Sequence, residues 1–434
     1  MRYKEDLPYT DTYLYHTSVC RLCESRESKI WQTTNTLRPN NTMNAAINDL
    51  YIDWMGNGVD DYPAWGFAVF EYTIRYETST LNHMTNTGEA IEVVIMGFEQ
   101  VREGFLLYQD WMLPLWGEFS EALARASARG ILVECLSIGH VELPLNVLNV
   151  LAPALKVAPI KLLHLKNNGL RRDGINLLSR SIQMNQVLER LAIKQTHLNV
   201  GGVVSLVEMS SRHHNNLNSL SLDTCNIGLN SSSLMSALLH TLSSSNNIRN
   251  LSLARNHIGR SESDMLATYL ATNPPLTSID LVDNLLSDAD VVLIANALKS
   301  NTTLRGLRLS GNPLGNSGKM AICDAIYNVS SLDGIHYSNH TCMVTSDFDI
   351  PDCNRYVSQN ANRVSKLLGV LFTDFAFTYL DDIPLEVVPL VLDFVQYPSF
   401  KFPLSRIFHI IRDWNTPMAS IQIEFLRLST TNNK

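Results

Sequence analysis

Between Val133 and Cys342 apolar residues return in one pattern, Leu-x-x-Leu-x-Leu, then two residues, a polar position, one more residue and another apolar one. Copies open at Val133, Ile160, Leu188, Leu217, Ile248, Leu276, Leu304 and, in decayed form, Leu332, at spacings of 27, 28, 29, 31, 28, 28 and 28. A fixed period of this size dictates architecture. The first part of each copy alternates as a strand does. Leu307 and Leu309 face a core, while Gly306, Arg308 and Ser310 face outward. The second part has helical spacing. Ser287 reads as an N-cap before Val291, Ile294, Ala295 and Leu298, and Met265, Leu266, Tyr269 and Leu270 form the same stripe. Such a unit buries its apolar face only against its neighbours. The pattern therefore predicts an arc with a parallel sheet inside and helices outside. The ninth position holds Asn168, Asn256, Asn284 and Asn312, amides suited to satisfying backbone groups where the chain leaves each strand. Thr196 and Cys225 stand there in two copies, and Val141 and His340 in the outermost two.

In this frame the chain resembles leucine-rich-repeat proteins of the long-repeat, ribonuclease-inhibitor type over residues 133–342, about eight repeats. The resemblance implies an α/β solenoid; an irregular N-terminal module and a small helical C-terminal region are expected on either side of it from the residues there.

The flanks lack the period. Residues 1–46 are polar and read as a disordered tail. Residues 47–132 are expected to hold an N-terminal module, on the strength of Trp54, Trp65, Phe67 and Phe70, and a cap helix at 110–128. In 343–434 a linker precedes three short helical patterns, Asn360–Phe372, Pro384–Val395 and Leu404–Trp414.

Composition narrows the function classes. With 45% apolar residues the chain is no disordered protein. Its net charge of −8 and pI of about 5.8 argue against nucleic acid as the main partner. The acidity is local: residues 1–132 carry 10 basic and 18 acidic residues, while 133–342 carry 16 and 14. Seven scattered cysteines fit a reducing compartment. No apolar run is long enough to span a membrane. The expectation is a cytoplasmic protein, with the nucleus left open and no membrane contact.

Candidate chemistry is sparse. GNPLGNSGKM at 311–320 ends in Gly-Lys, but Pro313 stands where a phosphate loop needs glycine and Met320 where it needs Ser or Thr. Cys20 and Cys23 form a single C-x-x-C with no second pair at zinc spacing. His336 and His340 fall on the strand and exit of the decayed last copy. No catalytic, metal or cofactor residues are assigned, no cofactor or small-molecule substrate is expected, and the chain is expected not to be an enzyme.

The inner face remains. Alternation places His164, Lys166, Arg190, Lys194, Asp223, Asn250, Asp280 and Arg308 on it, basic toward the N-terminal side and more acidic later. Equivalent residues of neighbouring strands form ladders about 4.8 Å apart. A polar, sign-segregated strip suits another protein of complementary charge. The expected function is a non-enzymatic scaffold or adaptor. Its rivals are a GTPase regulator resembling Ran GTPase-activating proteins, which share the repeat type, and a substrate receptor for ubiquitin ligation.

Overall fold

The computed structural model describes the chain from Tyr62 to Lys366, apart from short breaks at 86–87, 89, 98–104, 211–215, 230–231, 329–331, 349, 351–352, 355–357, 360–361 and 364. The expected tail at 1–46, Cys20 with Cys23, and the helices Pro384–Val395 and Leu404–Trp414 lie outside the described residues. The helix expected at Asn360–Phe372 falls within them only in part.

Helix α1 (Tyr62–His83), strand β1 (Ile91–Met96) and helix α2 (Met112–Ala128) come first. Strand–helix units follow: β2 (Val133–Gly139) with α3 (Leu145–Val157), β3 (Ile160–Lys166) with α4 (Arg172–Ile182), and β4 (Arg190–Lys194) with α5 (Val200–Ser210). Next are β5 (Ser219–Ser221) with α6 (Ser233–Ser243), and β6 (Asn250–Ser252) with α7 (Arg260–Ala271). The last full units are β7 (Ser278–Asp280) with α8 (Asp288–Ser300), and β8 (Gly306–Arg308) with α9 (Asn316–Ile326). A short helix α10 (Leu332–Tyr337) and strand β9 (Met343–Thr345) complete the series. The strands pair in parallel, in sequence order from β1 to β9.

The register follows the apolar frame. Leu163, Leu191, Leu220, Leu251, Ile279 and Leu307 stand opposite one another on six successive strands, and all are buried between sheet and helices. Val291, Ile294, Ala295 and Leu298 of α8 face the same core. Ser287 begins α8 by donating its backbone N–H to Asp290 Oδ2 at 2.8 Å. Burial opposes ionisation of Asp290, but hydrogen bonds from Ser287 and Ser263 outweigh it and hold the carboxyl below its usual range.

Three expectations are corrected. The helix at 110–128 is no terminal cap: α2 lies between β1 and β2 in the chain, and the parallel ladder starts at Ile91. The structure closes the N-terminal edge with α1 instead. Buried Glu77 and Thr73 accept hydrogen bonds from the edge-strand amides of Val94 (3.2 Å) and Met96 (3.3 Å). Phe70, Ile74 and Leu81 of the same helix are fully buried, and Phe70 packs on Trp116 of α2 with ring centroids 5.4 Å apart.

Second, the copy at Leu332 forms no strand. Residues 332–337 are helical, and the ninth strand is Met343–Thr345, paired with Gly306–Arg308. His336 therefore lies on a helix and not on the expected strand. Third, His340 is no strand-exit residue. It sits half-buried beside the buried Lys366 ammonium, 3.2 Å from Nδ1. Burial, then the nearby Lys366 charge, pushes the imidazole down to about 3, and burial lowers the Lys366 ammonium to about 8. Lys366 Nζ donates to the Asn339 carbonyl at 2.6 Å.

Candidate functional site

The inner face is built by alternation, and its order depends on what happens where each strand ends. Asn256 accepts the amides of Cys225 (2.8 Å) and Ile227 (3.3 Å) and donates to the carbonyls of Leu222 (2.7 Å) and Ala254 (3.2 Å). Asn284 repeats the device one repeat on, accepting from Asn256 (2.9 Å) and Ile258 (3.0 Å) and donating to Leu253 and Leu281 at 3.0 Å. Asn312 continues it with Leu286, Leu281 and Leu309. This is the role expected of the ninth position. Cys225 fills it with a thiol that donates to the Ile193 carbonyl at 3.3 Å, and burial pushes that thiol up to about 12.

The eighth position has its own regularity, which alternation alone does not reveal. His140, Asn167, Gln195, Thr224, Arg255, Asp283 and Gly311 all have φ between 51° and 71°. This left-handed turn aims successive side chains along the rim beyond the strands. Arg255 and Asp283, both exposed, pair there at 2.9 Å.

The eight residues expected on the face fall on β3 to β8 or immediately after β5, and are spread along the arc. His164 is buried, with Nδ1 3.3 Å from the Ser137 hydroxyl. Lys166 stands opposite Lys194 and is half-buried. Asn250 is half-buried between Ser219 and Ser278. Two pairs are brought together. Lys194 lies 3.4 Å from Asp223, whose other bonds come from the Ser221 hydroxyl (2.9 Å), the Ser252 hydroxyl and the Ala254 amide (3.2 Å). Arg308 lies 3.1 Å from Asp280, whose Oδ1 accepts the Val282 amide at 3.0 Å. Burial raises the Asp280 carboxyl above its ordinary range, against the pull of that amide and of Arg308.

These contacts revise the charge picture. Glu134, absent from the predicted face, accepts both Lys161 (2.8 Å) and Arg190 (3.1 Å), so Arg190 of the basic strip, like Lys194, is paired with a carboxylate within the fold. Nor are its lysines and arginines remote from the structure's own bonding. The second position of the frame would have revealed Glu134. That row runs Glu134, Lys161, Glu189 and then, further along, Arg249 and Arg305, so at this rim the positive end is the later one.

No protein family matches the chain, and no curated protein matches it. Among solved structures, the tropomodulin C-terminal domain of Caenorhabditis elegans is 17% identical, covering 36% of this chain and 86% of that one at a TM-score of 0.28. A Bacteroides fragilis protein is 15% identical, covering 64% of this chain and 68% of that one at a TM-score of 0.39. The ladder itself, parallel strands in sequence order with an intervening helix in each repeat and an apolar frame in register, makes the fold an open α/β leucine-rich-repeat solenoid.

Proposed function

We propose that the chain is a non-enzymatic, protein-binding scaffold of the long-repeat, ribonuclease-inhibitor-like type, with the inner face of the sheet as its binding surface. The observation that carries this reading is the ladder of small and polar residues along β5 to β8. Ser219, Asn250, Ser278 and Gly306 occur in register on a continuous sheet, a surface on which a folded partner can lie across several repeats. The carboxylates on and near this face support the same reading. Asp223, Asp280 and Asp290 use their oxygens on amides and hydroxyls of their own or adjacent repeats, which is architectural work.

The test is capture from a lysate on the full chain, with identification by mass spectrometry. Asn250→Trp with Ser278→Trp obstructs the inner face, and Val292→Lys alters an exposed position of α8. Discrete partners lost with the first variant and kept with the second are the expected result. Partners indifferent to the inner-face pair would sink this surface as the binding site.

A further inference from the structure

On the inner face, the hydrogen-bonding capacity of Arg308 is largely uncommitted among the described residues. Among the described residues, the single polar contact of the Arg308 guanidinium is Asp280 Oδ2 at 3.1 Å. That contact is a charge contact, since Asp280 Oδ2 has no hydrogen-bond partner. A guanidinium offers five N–H donors in a planar fork that matches a carboxylate two bonds at a time. Arg308 retains 29% of its side-chain exposure, so the fork is held on the sheet but reachable.

The surroundings are open. Along its own strand Arg308 is flanked by Gly306 and Ser310, and Gly306 stands opposite Ser278. A Cβ on Gly306 would meet only the Ser278 side chain, its hydroxyl at 3.5 Å and its Cβ at 3.9 Å, both ordinary contacts. The glycine is therefore not required by packing, and its absent side chain leaves space beside the guanidinium. Arg249 and Arg305, both exposed, lie on the rim row before the strands. The nearby carboxylates are engaged: Asp283 pairs with Arg255 at 2.9 Å, and Asp347 accepts the Gly311 amide at 2.6 Å.

We propose that Arg308, with the gap over Gly306 and the rim arginines Arg249 and Arg305, is a receptor for a carboxylate side chain on an acidic segment of a partner protein. The inference rests on the scaffold reading and names its partner's chemistry. A protein carboxylate is favoured over nucleic acid because the fork is a single planar site that matches one carboxylate two bonds at a time, whereas a long polyanion needs a row of cations.

The experiment is fluorescence anisotropy on the full chain with a short labelled peptide alternating Glu and Ser, its Gln counterpart and a labelled single-stranded oligonucleotide. The Glu peptide is expected to bind, more weakly as salt rises, and the Gln peptide to bind at least about tenfold more weakly. Arg308→Gln is expected to cause a loss of the same size. Because that substitution also strips buried Asp280 of its ion pair, Gly306→Trp provides a second obstruction that leaves the pair in place, and it should weaken binding equally. Glu-peptide binding that survives both variants, or that the Gln peptide reproduces, overturns the proposal. Equal or tighter oligonucleotide binding lost in the same variants overturns the carboxylate assignment. If the lysate partners stay on Gly306→Trp but leave the Asn250→Trp, Ser278→Trp variant, the scaffold reading stands and this receptor falls. Loss of neither defeats both.

Discussion

The two halves of the array keep their repeats together by different means. In the N-terminal half the strands are long, seven residues in β2 and β3, and backbone pairing runs through to Lys166 and Lys194. In the C-terminal half every strand from β5 onward is three residues long. There, carboxylates take the amides that would extend the strands, Asp223 that of Ala254 and Asp280 that of Val282. The asparagines differ in the same sense. Asn284 uses both ends of its amide, while Asn168 donates to Val141 at 2.9 Å and leaves its oxygen without a partner.

This contrast can be broken at three points. Asp223→Ala should cost most, about 3–5 kcal/mol, because it leaves Lys194 on a largely buried site without its counter-charge and frees the Ala254 amide. Denaturant unfolding measures it, and a loss near zero would show that the carboxylate does not cement these strands. At the ninth position, Asn284→Ala should cost at least about 3 kcal/mol, since the Asn256 and Ile258 amides and the Leu253 carbonyl lose their partner, whereas Thr196→Ala, with one bond at 3.2 Å, should cost about 1 kcal/mol. Equal losses would erase the difference between the halves. The smallest effect is a gain: Gln195 has φ of 52° and is exposed, so Gln195→Gly should raise stability by up to about 1 kcal/mol, read as a higher Tm. A lower Tm would mean that the side chain contributes more than the turn conformation costs.

Much of the array was legible because its core positions obey one frame, and Leu163 through Leu307 stand in the register that the frame implies. The two ends were not. In β1 a register shift between Ile91 and Glu92 compresses the frame by one residue, so Ile91-Glu92-Val93 lacks the Leu-x-x-Leu step. At the other end the apolar residues at Leu332 imitate the frame better than Cys342-Met343-Val344 does. A polar residue would have distinguished them. Asn301 accepts the Leu304 amide from three residues upstream, and Asn339 does the same for Cys342. On the inner face, alternation identified side chains but not their partners. Glu134 and Arg190 lie 56 residues apart on either side of β3, and the strand order of the sheet brings their long side chains within 3.1 Å.

The α1 contacts with β1 also bear on how these molecules behave in a crowd. An exposed edge of a parallel sheet is a template on which another chain can add a strand and begin a fibre. Thr73 and Glu77 occupy two amides of that edge, Val94 and Met96, with side chains that offer no onward row of carbonyls. Helix α1 is thus a polymer terminator as well as a lid. Wherever it stays docked, the N-terminal end of the solenoid cannot seed end-to-end growth through those amides.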